Sequence, residues 1–331
     1  MKLIIPMAGR GTRLRPHTHT TPKPLLPVAG TMIVERIIQT FARTLDRDID
    51  EIVFILGDFG EDVKTALREM SARHNAKATF FKQDKALGTA HAVYCAEQAL
   101  DGEVIIVFAD TIFDTDSKVS VEDADSVIWL KEVEDPSRFG VAVHKGEKIT
   151  DFVEKPSEPI SNLAIIGVYY FKKGEDLKAE IKYLLDNHIT GHGDEYQLTD
   201  ALDRLLKKGN VFKSATVDEW LDCGTLPAWL DTTKIIIDKE QHSYDESKYP
   251  GSKIIPPVFI GKNVTLENAT IGPHTSIGNG TKITNSTVKE SIVLDETTIS
   301  DSELDNTTIG NHVTVNDFKG EAHLGDHSTI N

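Results

Sequence analysis

Cysteine is nearly absent from this chain: its 331 residues include two, Cys95 and Cys223. They are too few for a disulfide framework and lack the CxxC spacing of a metal or redox site, so they read as buried thiols in a reducing compartment. Long apolar runs are missing as well. No uncharged stretch reaches the roughly 18 residues that a membrane-spanning helix needs, so no membrane association is expected. The start, MKLIIPMAG, has one lysine and an apolar run broken by Pro6. That run is too short for a signal-peptide core, and the cytoplasm is the expected location. Positive charge is in deficit, with 36 Lys and Arg against 52 Asp and Glu and a formal charge of −16. A surface that acidic repels phosphodiester polymers and anionic lipid at long range. Nucleic acid is therefore disfavoured as a partner, and only a local basic pocket remains open. The rest is ordinary for a globular protein, with 39% apolar and 27% charged residues, which excludes a disordered or collagenous chain. At about 150 residues per domain, the length suggests two domains.

Two textures follow one another along the chain. Over residues 1–242, strand-like and helix-like segments alternate. Lys2–Met7 is a short apolar run ending in a glycine-rich turn, and Ile33, Ile37, Ile38 and Phe41 recur at helical spacing. Strands are expected at Glu51–Leu56, Ala78–Lys82, Glu103–Ala109, Ser126–Lys131, Ala164–Phe171 and Val211–Val217. Helices are expected at Glu61–Arg73, Ala90–Leu100, Glu195–Lys208 and Leu226–Glu240. Such alternation builds βαβ units, an α/β domain with a mostly parallel sheet covered on both faces. Residues 243–253 (SYDESKYPGSK) are polar, contain Pro250 and Gly251, and read as a linker.

Over residues 254–331 the pattern changes. Ile260, Leu266, Ile271, Ile277, Ile283, Val288, Leu294, Ile299, Leu304 and Ile309 recur five or six residues apart, with small polar residues and glycines between them. That period is neither 3.6 nor 2. It fits a parallel β-helix in which each coil has three short faces and one aliphatic side chain per face points to the axis. Stacking buries side chains that a single coil could not. Leu324–Ile330 continues as one more coil, which places the end of the chain near an open end of the solenoid. Covering such an end or a flat face makes a homo-oligomer the expectation.

The most informative segment is GRGTRLRP (Gly9–Pro16), followed by TTPKPLLPVAG (Thr20–Gly30). A glycine-rich turn after a first strand brings backbone N–H groups close to phosphate oxygens. It lacks the Gly-Lys-Ser/Thr ending of a P-loop, and Leu14 stands where a dinucleotide fingerprint has its third glycine. Its distinguishing mark is the cluster Arg10, Arg13, Arg15 and Lys23 in an otherwise acidic chain. Pro22 and Pro24 stiffen the backbone on either side of Lys23. A rigid cationic loop beside bare amides suits a triphosphate whose charge shifts during reaction.

GRGTRLRP with PKPLLPV closely resembles the signature of the sugar-1-phosphate nucleotidyltransferases, and many members of that family carry a C-terminal left-handed β-helix. The resemblance implies a Rossmann-like catalytic domain, a Mg²⁺ requirement, and the reaction of an NTP with a sugar 1-phosphate to give an NDP-sugar and pyrophosphate. It implies that Ala8, Gly9, Gly11, Thr12 and Arg13 bind the nucleotide, with Arg13 and Lys23 acting catalytically. Asp110, after the apolar strand EVIIVFAD, and Asp222, in WLDCGT, would be catalytic and bind the metal. Taken alone, Asp110 would as easily cap a helix.

In FKQDKALGTAHA, Gln83, Gly88 and Thr89 match the motif that reads the base, although the same residues would serve equally as a polar loop and helix cap. Gly140 (RFGVAV), Glu154 and Lys155 (DFVEKP) and Gly167 (IIGV) match the sugar-phosphate side. There the glycine backbone and the glutamate would hold hydroxyls and the lysine would reach the phosphate. UTP or dTTP and glucose 1-phosphate are the favoured substrates. One departure is GHGDEYQL, where some thymidylyltransferases have an arginine and this chain offers only His192, read as a surface-loop histidine. The alternatives are a GDP-mannose or UDP-N-acetylglucosamine pyrophosphorylase-type activity, a β-helix acyltransferase, and a subunit that binds nucleotide sugar without turnover.

Overall fold

A computed structural model of the protein describes residues 1–331 apart from 10, 119, 120, 122, 123, 146, 147 and 159. Arg10, one of the expected loop cations, thus lies outside the described residues. The chain forms two compact units, and neither is continuous in sequence. One comprises Met1–Gly9, Ile37–Ala109 and Phe113–Trp220; the other comprises Arg10–Arg36, Asp110–Ile112 and Leu221–Asn331. No helix among the described residues is long and apolar enough to cross a membrane.

The first unit is built on a nine-stranded sheet. Its strands are β1 (Lys2–Pro6), β2 (Glu51–Leu56), β3 (Lys77–Lys82), β4 (Val104–Val107), β5 (Ser126–Glu132), β6 (Gly140–Lys145), β7 (Lys148–Glu154), β8 (Leu163–Phe171) and β9 (Phe212–Thr216). The main path runs β7-β6-β8-β4-β1-β2-β3, and β8 also pairs with β5, which carries β9. The β4-β1-β2-β3 half is parallel, as expected from the βαβ alternation. In these strands nearly every side chain of KLIIP, EIVFIL and VIIV is buried, as strands covered on both faces require. The β8 side is different, because β8 runs antiparallel to β4, β5 and β6, and β6 and β7 form a hairpin. A hairpin needs no crossover helix, so the strand–helix alternation carries no sign of it.

Helices α2 (Gly60–Arg73), α3 (Thr89–Tyr94), α4 (Gly174–Asp186) and α5 (Leu198–Lys207) cover this sheet, and α1 (Ile33–Thr44) precedes β2. The segment expected as one helix over Ala90–Leu100 breaks after Tyr94 and ends in a short turn at Glu97–Ala99. Helix α4 has no counterpart in the sequence-based expectations. It buries Leu177, Ile181 and Leu184 in the same core as Leu198, Ala201, Leu202 and Leu205 of α5. Cys95 is half-buried rather than buried, and both cysteines are free.

The second unit contains the β-helix. Three sheets of five short parallel strands run along it, and successive coils pair 17, 16 or 15 residues apart, as in Lys253↔Thr270, Thr287↔Glu303 and Thr308↔His323. Leu266, Ile271, Ile277, Ile283, Val288, Ile299, Leu304 and Ile309 fill its axis as expected. Leu294 does not belong to that stack. The register Ile277↔Val293↔Ile309 puts Val293 on the axis, and Leu294 occupies the site that Gly278 and Gly310 hold in adjoining coils. Ile260 is partly buried at the first coil.

The polar residues between the aliphatics form a ladder. Lys262, Asn279, Asp295 and Asn311 each donate their backbone N–H to the Oδ1 atom of Asn279, Asp295, Asn311 and Asp326 respectively, at 2.7–3.1 Å. A Cβ on Gly278 would lie 2.5 Å from Asp295 Oδ1, which explains the glycine beside the ladder. Asn268, Asn285, Asp301 and Asp317 turn one corner with φ near +50°, a conformation that short polar side chains tolerate. Tyr249, from the polar segment before the first coil, is buried with the solenoid core. Helix α6 (Leu226–Glu240) starts at Thr225, whose hydroxyl caps the Ala228 N–H. It packs on the coil strand Thr275–Ile277.

Ile283→Ala should destabilise the protein by about 2–5 kcal/mol through loss of a fully buried side chain, and Gly278→Ala by about 1–3 kcal/mol through overpacking. Each should lower the thermal midpoint by several degrees, while Thr265→Ala on an exposed face leaves it within about a degree.

His17 supplies a pH dependence. It is 1% exposed. Burial lowers its pKa to about 4, opposed by Asp326 and reinforced by His323. The unfolded chain takes up its proton near 6.5 and the folded chain only near 4, so stability is lost as pH falls through that window. The full loss is on the order of 3 kcal/mol. His17→Gln should flatten this acid limb in a denaturant-midpoint series between pH 7 and pH 4.

Candidate active site

The loop after β1 is shaped by main-chain constraints. Gly11 adopts φ +58°, and a Cβ there would lie 3.1 Å from Lys23 Cβ and 3.2 Å from Thr18 Cγ2. Glycine therefore serves both the left-handed conformation and the close approach. The Thr18 hydroxyl donates to the Gly11 carbonyl at 2.7 Å. A 3₁₀ turn, Thr12–Leu14, follows; it buries Leu14 and leaves Thr12 and Arg13 exposed. Upstream, Gly57 at the end of β2 meets the loop, and a Cβ there would lie 2.9 Å from the Ala8 carbonyl oxygen. Gly9 has open space around it.

Lys23 is the centre of the charged cluster. It starts a 3₁₀ turn flanked by Pro22 and Pro24 and is 8% exposed. Its ammonium donates to the main-chain carbonyl of Asp110 at 2.6 Å. Burial pushes its pKa down. Asp110 and Asp222 oppose that shift, and Arg13 adds to it. Among the described residues, neither Lys23 nor Arg13 forms a salt bridge, so both positive charges remain available to an anion.

Asp110 follows β4 in a turn. Its side chain is exposed, yet the protein surrounding it at longer range raises its pKa, with Lys23 pulling the other way. Asp222 is also exposed, and its Oδ1 accepts the Gly224 N–H at 2.7 Å. A Cβ on Gly224 would lie 2.8 Å from Asp222 Oδ1 and 3.3 Å from an Arg13 nitrogen, so this glycine lets the guanidinium come close to the aspartate. Cys223 between them is buried, and burial raises its thiol to about 12, so it is neutral and no nucleophile at neutral pH.

Among the described residues, no group of three or more His, Cys, Asp or Glu side chains could hold a metal alone. Two accessible carboxylates fit a hard divalent cation that draws its remaining ligands from phosphate and water.

The other expected residues belong to the first unit. Gln83 follows β3, and its N–H donates to the Leu56 carbonyl at 2.8 Å. Gly88 has φ +116°, and a Cβ there would lie 2.5 Å from the Tyr196 carbonyl oxygen. The Thr89 hydroxyl accepts the Leu198 N–H at 2.9 Å, at the start of α5. Both residues thus clasp the start of α3 to the EYQL turn that leads into α5. Gly140 and Glu154 face each other across the β6–β7 hairpin, and a Cβ on Gly140 would sit 3.0 Å from Glu154 Oε2. Thr199 donates its hydroxyl to that oxygen at 3.0 Å. Thr199 was not anticipated. Its partner lies 45 residues away, and only its place directly after the EYQL turn hints at it.

Lys155 is exposed with φ +43°, a strained value for lysine. Gly167 has φ +83° inside a bulge of β8, and its carbonyl accepts the Phe108 N–H at 3.0 Å. His192 is exposed, as expected of a loop residue.

A cationic loop follows the first strand of an α/β fold, and Lys23 in it lies within electrostatic reach of Asp110 and Asp222. Residues 2–239 match the Nucleotidyl transferase family, and the chain belongs to that family. It is 33% identical over 285 residues to the bifunctional protein GlmU of Methanococcus aeolicus, covering 86% of this chain and 62% of that one. The chain thus spans less than two thirds of that relative's length. It is 28% identical to the glucose-1-phosphate thymidylyltransferase of Streptomyces antibioticus, over 100% of this chain and 99% of the relative. A crystal structure of UDP-glucose pyrophosphorylase complexed with UDP-glucose shares the fold, with a TM-score of 0.60, 22% identity, and coverage of 72% of this chain and 98% of that one. Nucleotidyltransferases of this family generally use a divalent metal.

Arg13→Ala removes a charge that the fold leaves uncommitted. It should lower nucleotidyl transfer by roughly 10²–10³ without a matching loss of thermal stability, as read by pyrophosphate release and a melting curve.

Proposed function

We propose that the protein transfers a nucleoside monophosphate from an NTP, UTP or dTTP by preference, to a sugar 1-phosphate, glucose 1-phosphate by preference. The observation that carries this reading is the pair Arg13 and Lys23, in a salt bridge with none of the described residues of a chain of net charge −16, with Asp110 and Asp222 beside them. The relatives named above support the substrate classes. The sugar phosphate oxygen attacks the α-phosphorus, the new P–O bond forms in line, and the bond to the β-phosphate breaks to release pyrophosphate. Arg13 and Lys23 donate to the phosphate oxygens as charge moves toward the leaving group. Ala8, Gly9, Gly11 and Thr12 line the phosphates with main-chain groups. When Mg²⁺ is bound by Asp110 and Asp222, it neutralises phosphate charge.

Gln83, Gly88 and Thr89 recognise the base. Gly140 and Glu154 hold sugar hydroxyls beside Gly167, and Lys155 takes the sugar phosphate. A carboxylate suits vicinal hydroxyls because it accepts two O–H bonds. Residues 1–242 act as the catalytic domain, 243–253 as a linker and 254–331 as the β-helix. The protein works in the cytoplasm as a homo-oligomer, without nucleic acid or membrane partners.

The test is a matrix of UTP, dTTP, GTP, ATP and CTP against several sugar 1-phosphates with Mg²⁺, scored by pyrophosphate release. Turnover should be greatest with UTP or dTTP and glucose 1-phosphate, and no release from any pair would overturn the reading. Glu154→Gln should raise KM for the sugar phosphate about tenfold, the worth of one charged hydrogen bond, with KM for the nucleotide unchanged.

A further inference from the structure

Inside the second unit, the middle of the cationic loop rests on the last coils of the β-helix. A Cβ on Gly325 would lie 3.0 Å from Pro16 Cβ, so the coil leaves room for the loop. The Thr20 hydroxyl donates to Asp326 Oδ2 at 2.6 Å, while the other oxygen of Asp326 ends the solenoid ladder. His17 Nε2 is 2.8 Å from Thr308 Oγ1, and Thr308 Oγ1 is 2.9 Å from His323 Nδ1. His323 Nε2 in turn lies 3.2 Å from Glu321 Oε1.

A carboxylate only accepts, so the neutral His323 carries its proton on Nε2 and accepts at Nδ1. Thr308 must then donate to His323, which leaves its oxygen to accept from His17 Nε2–H. His17 Nδ1, buried without a partner, is thereby left unprotonated, the less costly state for an orphan. The depressed pKa of His17 agrees with a neutral ring.

The solenoid itself does not need a hydroxyl at residue 308. The register Ser276↔Ile292↔Thr308↔His323 places an isoleucine at the same position of the preceding coil. Thr308 is fully buried and, like Ile292, alternates away from the axial Ile309. Its polar atom is accounted for by the two histidines, one of them in the loop, four residues from Arg13 and six from Lys23.

We propose that Thr308 and His17 are positioning residues: the last coils of the β-helix hold the cationic loop in register for phosphoryl transfer, through the chain His17–Thr308–His323–Glu321 and the Thr20–Asp326 bond. The proposal rests on the reading of Arg13 and Lys23 as phosphate-binding. Misplacing a catalytic group by about 1 Å can cost up to 10²-fold in rate, and an interaction that serves only the transition state shows in kcat rather than KM.

The experiment compares full-length wild type, Arg13→Ala, Thr308→Val, Thr308→Ser and Thr20→Val by steady-state pyrophosphate release and by melting curves. Thr308→Val keeps the shape and removes the hydroxyl. It should lower kcat roughly tenfold with KM for the nucleotide within about twofold. Thr308→Ser restores the hydroxyl and should return kcat to within about twofold of wild type. Thr20→Val, at an exposed site, should lower kcat about threefold and decides the matter should Thr308→Val not fold. Wild-type kcat in Thr308→Val or, failing that variant, in Thr20→Val overturns the proposal if Arg13→Ala is impaired. Equal losses in Thr308→Val and Thr308→Ser overturn it as well, because packing would then explain both. An unimpaired Arg13→Ala instead removes the reading of the loop, and this proposal with it.

Discussion

A buried ammonium with no carboxylate bonded to it is unfavourable, and among the described residues Lys23 is in that condition. Its Nζ donates to a carbonyl at 2.6 Å, which satisfies one of three hydrogens and none of the charge. Burial favours the neutral amine, while Asp110 and Asp222 favour the ammonium through space without closing an ion pair. A bonded carboxylate would settle the charge and also end its usefulness. Left as it is, the ammonium lacks a bonded counter-charge among the described residues, and the proposed nucleotide would supply one to donors that need no reorganisation when its charge moves.

Such a site works only if the backbone beneath it cannot relax. The segment that carries Arg13 and Lys23 is tied at several points within its unit. Leu14, Leu26 and Val28 are fully buried. The Trp229 indole of α6 donates to the Pro27 carbonyl at 2.8 Å. Arg36 donates to the Val28 carbonyl and pairs with Glu240 at the end of the same helix. The edge of Trp229 also meets the His17 ring, with centroids 5.2 Å apart. Since α6 begins four residues after Asp222, the helix that fixes the loop also sets the distance from the loop to one of the two carboxylates.

Much of this could be read from the sequence. The cationic loop, the parallel strands β1, β2 and β4, helix α6 and the five-to-six-residue rhythm of the coils all have local signatures: glycine and proline spacing, buried apolar runs, periodicity. What could not be read depends on contacts between distant residues. The antiparallel half of the first unit follows from which strand neighbours β8, and strand propensity does not encode that choice. Val293 and Leu294 are equally apolar, and only the pairing of coils decides which one faces the axis. Gly88 reads locally as a place for a ligand to approach, but the close neighbour at its Cβ position is the main chain of Tyr196. His17 and Thr308 are 291 residues apart, and neither type in its own context announces a buried hydrogen bond.

A solenoid makes such long-range roles easier to detect once its register is known. Every coil offers the same environments, so a residue type that departs from its column asks for a local cause. The ladder of Asn and Asp side chains satisfies backbone groups coil after coil and needs no outside partner. The column Ser276, Ile292, Thr308 and His323 is different, because its side chains alternate away from the axis, and Ser276, Ile292 and Thr308 are buried nevertheless. Whatever covers this face must match it, and within the unit the partners are α6 and the loop that bears the cations. A stack of parallel strands with one fixed spacing is a stiff support. The loop is thereby hydrogen-bonded to strands that cannot slip by one residue without turning every axial aliphatic outward.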